Sequence, residues 1–144
     1  MLRRLSSTSS LWATVPLRLA LGIAFTGHGA QKVLGSFNGP GWAKFTSFPA
    51  PFPFMRPAWL WMGVAAMSEL IGGILVLLGL FTRLGAFLIA CVMLVAIFGV
   101  LWPRFFAPEG MELAVAFLAM ALALLITGGG QASVDLMIGG GRRR

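Results

Sequence analysis

Residues 18–35 read RLALGIAFTGHGAQKVLG, a run apolar enough for a membrane helix except that it holds Arg18, His28 and Lys32. At about 100° per residue, Arg18, Gly22, Gly29 and Lys32 fall within roughly 80° of one another, with His28 beside them. One face of this helix is therefore polar and small, and the remainder is Leu, Ile, Val and Phe. A charge at the bilayer centre costs from about 2.5 to more than 10 kcal/mol, so such side chains face protein and find partners. The sequence offers Glu69, in the middle of the next apolar run, as the partner.

The rest of the chain has the solvent preference this requires. It is 58% hydrophobic and 10% charged, with a mean hydropathy of +0.91, where a soluble domain carries roughly 25% charge. This points to a single integral membrane domain over residues 1–144, with the lipid bilayer as its first partner. The net charge of +7 comes from Lys and Arg scattered at the ends of apolar runs. They form no basic face interleaved with aromatics, which argues against nucleic acid. A single cysteine, Cys91, allows neither a disulfide nor a CxxC dithiol within the chain, and its apolar setting predicts a small buried residue. The single His28 excludes bis-histidine haem ligation in a monomer and a His-rich metal site, so no metal is expected.

The apolar runs predict an all-α protein, an integral membrane four-helix antiparallel bundle with spans at about 11–34, 58–80, 84–102 and 112–127. Residues 1–10 form a basic leader; a signal peptide would begin similarly, but Arg18 interrupts the apolar region. Residues 35–57 are rich in Gly, Pro and Phe, with Trp42, Phe45 and Phe48 at helical spacing. That spacing predicts a short interfacial helix, either an aromatic belt or a lid above a cavity. Residues 79–83 make a tight turn, so the second and third helices are antiparallel neighbours. Gly128, Gly129 and Gly130 end the fourth helix, and residues 128–144 are expected to be a flexible basic tail. Arg3, Arg4, Arg83 and Arg142 to Arg144 lie on the side of the termini, against Lys32, Lys44, Arg56 and Arg104 on the other. This bias predicts a multi-pass membrane protein with both termini cytoplasmic.

Two groups of residues carry candidate chemistry. The depths estimated for Arg18 and Glu69 differ by about 6 Å, within an arginine's reach. The pair reads as a buried ion pair fixing helix register, as a snorkelling Arg18 beside Glu69, or as a polar path for protons or ligand. Toward the outer interface, His28, Gln31 and Lys32 approach Glu109 and Glu112 at the start of the fourth helix. Those glutamates suit a helix N-terminus without any further role, yet His28, Gln31, Lys32 and Glu112 also make a possible pocket for a small polar head group.

These stretches together resemble the DoxX family of small four-helix bacterial membrane proteins over about residues 15–135. The most specific parts are R-x(9)-H-G-x-x-K, met by Arg18, His28, Gly29 and Lys32, and E-x-x-G-G-x(5)-G-L-x-T-R, met by Glu69, Gly72, Gly73, Gly79, Leu80, Thr82 and Arg83. The family name derives from a membrane subunit associated with thiosulfate:quinone oxidoreduction, and some relatives are implicated in membrane redox-stress assemblies. The resemblance therefore implies an accessory subunit, not an enzyme on its own, linked to quinone or thiol redox metabolism. It implies a quinone as possible cofactor, a membrane redox protein as possible partner, and possible homo-oligomers. Beside it stand a small-molecule permease or binding protein with an Arg/Glu-lined path, and a structural partner of a larger membrane complex.

Overall fold

The computed structural model describes residues 11–106, 108 and 110–139. The described residues are all helix and connection, with no strand. Four longer helices pack together: α1 (Thr14–Leu34), α3 (Ala58–Leu78), α4 (Thr82–Ala96, continuing through a π turn at Ile97–Leu101) and α5 (Glu112–Thr127). Two short helices complete the set, α2 (Gly41–Thr46) and α6 (Val134–Ile138). Among the described residues six α-helices thus stand where four spans are expected, and two segments, Ala58–Leu78 and Thr82–Leu101, are long and apolar enough to cross a membrane. The other two long helices fall short for physical reasons. α1 carries Arg18 and Lys32, and α5 at 16 residues reaches only about 24 Å.

Facing residues give the helix directions. Gly22 of α1 lies against Leu77 of α3, Phe25 and Thr26 against Gly73, and Gly29 against Leu70. The numbers fall on one helix as they rise on the other, so the helices are antiparallel. A Cβ at Gly22 or Gly29 would overlap the α3 backbone, and one at Gly73 would overlap α1. This seam of small residues brings the two helix axes close, a packing that relies on dispersion rather than hydrophobic exclusion. α4 packs on α3 and α5 on α4, and Phe25 of α1 meets Phe117 of α5 edge to face at 5.3 Å, closing the bundle. The core is made by Leu21, Phe25, Val76, Ile89, Met93, Ile97 and Leu124 with small residues between them.

The helix faces are apolar outside and three charged side chains are buried within, while the exposed Lys44, Arg56 and Arg104 sit in α2 and the connections. Ile23, Leu34, Ile71, Leu78, Phe87, Phe98 and Ile126 are exposed, whereas Thr14, Arg18, Glu69, Thr82, Ser133 and Asp135 are buried. Such a surface suits lipid tails, and such an interior demands internal partners for every polar group.

Residues 128–139, expected as a flexible tail, are instead folded against the bundle. The chain leaves α5 at Gly128, turns back, and forms α6, whose N-terminus is capped by the Ser133 side chain accepting from Leu136 N–H at 3.2 Å. Gln131 N–H donates to the Leu11 carbonyl at 3.1 Å, and Asp135 N–H to the Gly79 carbonyl at 2.8 Å. These bonds fix the segment across the open ends of α1, α3 and α4. The basic leader at 1–10 and the final residues 140–144 lie outside the described residues.

Candidate functional site

The glycine seam also decides which cation meets Glu69. Continuing its register, Arg18 is level with the end of α3 and Glu69 with the last turns of α1, a separation of roughly 18 Å along the axis. Arg18 and Glu69 are therefore not a pair. The expectation of similar depth assumed that the first helix starts level with the end of the second; the long connection between them permits another register, and the seam sets it.

Arg18 is 4% exposed and is held by backbone oxygen atoms. Its Nε donates to the Val76 carbonyl at 3.1 Å and Nη2 to that of Leu77 at 3.1 Å, while Nη1 reaches the carbonyls of Gly129, Gln131 and Ala132 at 3.1 to 3.2 Å. The last turn of a helix leaves its carbonyls without intrahelical partners, so the guanidinium caps α3 and clasps the folded C-terminal segment at once. Charge compensation comes from Asp135, which acts on Arg18 electrostatically. The Asp135 carboxylate also accepts from Phe81 N–H at 2.7 Å and Thr82 N–H at 2.8 Å, capping α4. Gly79 sits between these groups at φ 68°, and a Cβ there would strike the Arg18 guanidinium and Ser133. A residue with a side chain is thus barred both by its left-handed backbone and by the arginine.

Lys32 is the partner of Glu69. Its ammonium donates to both carboxylate oxygens, with the Glu69 side chain 4% and the Lys32 side chain 24% exposed. The Lys32 Nζ also lies 5.2 Å from the centre of the Phe45 ring, a cation–π contact. The seam register makes Leu34, where α1 ends, level with about Ala65, so α3 overhangs α1 by roughly 10 Å. The aromatic connection fills that overhang: α2 lies over the end of α1 with the Trp42 ring against Gly63.

Beneath this connection is a cavity of about 720 Å³. Phe45, Phe48 and Pro51 of the connection line it, with Trp61, Ser68 and Glu69 of α3, Lys32 of α1, and Cys91, Val95 and Gly99 of α4. The lid reading of the aromatic segment is thus the one the geometry supports. The α4 wall includes the π turn, where Gly99 approaches Pro51 and Phe52. Among the described residues Lys32 and Glu69 are the only charged ones in the lining.

Of the four residues expected to form an outer pocket, the structure brings only Lys32 to the cavity. His28 is exposed, with its ring at 6.3 Å from Phe25. Gln31 is half-buried and packs against Gly39 through its backbone and Cβ. Glu112 is half-buried at the start of α5, and its N–H donates to the Phe105 carbonyl. Glu109 lies outside the described residues. Cys91, expected buried, is exposed and borders the cavity, because it falls on the opposite side of α4 from Ile89 and Met93. Sequence reasoning missed Asp135 and Ser133; a Ser preceding an apolar turn with an acid in its first positions was the available signal.

The geometry accounts for seven of the residues that carry the family pattern, His28 not among them. Lys32 and Glu69 are the ion pair, Gly29 and Gly73 the seam, Arg18 and Gly79 the clasp, and Thr82 the start of α4. No curated protein and no solved structure matches the chain. The DoxX family model matches residues 13–102, ending before α5 and the C-terminal segment. That match takes in α1, the aromatic connection, α3 and α4, and with them the whole cavity: the chain belongs to the DoxX family.

Proposed function

We propose that the chain is a multi-pass protein of the bacterial cytoplasmic membrane that holds a small lipid-soluble molecule, a quinone, in the cavity beside Lys32 and Glu69. It serves there as a non-catalytic accessory subunit of redox metabolism, with α1, α3, α4 and α5 embedded as a four-helix bundle and both termini cytoplasmic. The observation that carries this reading is the cavity itself, apolar on its walls, aromatic under its lid and polar at one end through a single ion pair. Its volume lies in the range of small-molecule sites. A quinone ring matches Phe45, Phe48 and Trp61, and a ring carbonyl can accept from Lys32. The placement of Arg83 in the first turn of α4, on the side of the termini, supports the orientation.

A permease with Arg18 and Glu69 along one path loses its basis, since Arg18 is enclosed by carbonyls at the far end of the bundle. A purely structural role predicts a stoichiometric protein partner and an empty cavity. Purification in mild detergent, followed by mass spectrometry of bound lipids and proteins, decides between them. Quinone enriched over the total membrane extract, and lost in the Lys32→Met/Glu69→Gln double variant, is the expected result. Quinone at the background level of the extract overturns the reading. A phosphatase fusion that is active after Arg144 would overturn the orientation alone.

A further inference from the structure

Resting on the cavity as a ligand site, we propose that it selects neutral ring compounds bearing a hydroxyl or carbonyl and rejects carboxylates and amines of the same size. The reason lies in how Lys32 and Glu69 meet. Both Glu69 oxygens accept from the one Lys32 ammonium, so the polar end of the cavity has no net charge. Two of the three ammonium N–H groups are engaged by the carboxylate, leaving one for a ligand, and each carboxylate oxygen retains a lone pair. A hydroxyl fits this pair doubly, accepting from Lys32 and donating to Glu69. A ketone carbonyl fits it singly, accepting from Lys32.

An ionic head group fares badly at the same place. A carboxylate must approach Lys32 alongside Glu69, and an ammonium must approach Glu69 alongside Lys32, in a setting where little solvent screens like charges. Among the described residues no other charged side chain lines the cavity to offset either one. Arg18, the nearest buried cation on the same helix, is four turns away and saturated by carbonyls. The ion pair therefore acts as a filter on ligand charge while still offering hydrogen bonds.

The rule is tested with the full-length protein in nanodiscs and three probes of one shape: 1-naphthol, 1-naphthoate and 1-naphthylmethylamine, which are neutral, anionic and cationic at pH 7. Calorimetric titration against empty nanodiscs gives the Kd of each. The naphthol is expected to bind at least about tenfold more tightly than either ion. Glu69→Gln, which leaves Lys32 uncompensated, is expected to shift the preference toward naphthoate by about tenfold, and Lys32→Met to shift it toward the amine by a similar factor. The two variants are reciprocal, so either one that folds reads the filter, and the wild-type ranking reads it without them. Naphthoate or the amine binding the wild type as tightly as naphthol overturns the proposal, as does an unchanged ranking in a folded variant. Binding of none of the three above empty nanodiscs overturns the ligand-site reading as well.

Discussion

Arg18 and Lys32 lie on one face of one helix, yet they are satisfied in opposite ways: Arg18 by five carbonyls, Lys32 by one carboxylate. The difference predicts how substitutions combine. Removing one member of a buried pair leaves the other charge uncompensated and costs about 3 kcal/mol here, the lower end for such pairs because Lys32 keeps 24% of its side chain exposed. Lys32→Met and Glu69→Gln should each lose about that much, and the double variant should recover most of it. Arg18→Met and Glu69→Gln, by contrast, should add to within about 0.5 kcal/mol, since they share no partner. Reversible unfolding in mixed micelles measures both cycles. A coupling above about 1 kcal/mol between Arg18 and Glu69, with none between Lys32 and Glu69, would refute the assignment. A wheel projection shows that three cationic or titratable side chains share a side of α1, but it cannot say which of them is level with Glu69.

That missing information belongs to the helices as packed bodies. The boundaries of α3 and α4 were legible because Gly79 and the preceding apolar run mark a helix end in any context. The small residues were legible as packing surface too. The offset between α1 and α3 was not, because a long Gly- and Pro-rich connection permits many offsets and the choice is made by backbone contact at the glycines. Gly29 and Gly27 offer a contrast within one turn. A Cβ at Gly29 would overlap Leu70, while one at Gly27 meets nothing within 4 Å. Gly29→Ala should therefore cost about 2 kcal/mol or more by forcing the helices apart. Gly27→Ala should be neutral or add about 0.5 kcal/mol of stability through helix propensity. Thermal midpoints in detergent decide the matter; equal shifts for the two variants would show that α1 and α3 do not meet along this seam. The cavity follows from the same offset, since α3 overhangs α1 by about two turns and the aromatic connection covers the gap.

Across the whole molecule, the beginning of the described chain is held by its end. Thr14 and Arg18 both donate to the Gly129 carbonyl, and Asp135 caps the start of α4, where Phe81 is held at φ 45° without being a glycine. No side-chain pattern could announce the Arg18 clasp, because its acceptors are backbone carbonyls and its apparent tail is short and rich in glycine. Deleting the chain after Thr127 removes three of the five carbonyls and Asp135 together. It should cost at least about 3 kcal/mol through the uncompensated guanidinium alone, whereas Asp135→Ala should cost about 2 kcal/mol. Pulse–chase half-lives in cells would show this as rapid loss of the truncated chain and partial loss of the point variant. A truncated chain as long-lived as the full one would sink the idea. A further consequence concerns synthesis. The Lys32–Glu69 pair can form as soon as α3 has left the ribosome, but the first helix stays electrically unfinished until residues 129–135 arrive. A message broken before that point yields a product whose Arg18 keeps the Val76 and Leu77 carbonyls but lacks Asp135 and the other three, so an early stop is felt at the opposite end of the chain.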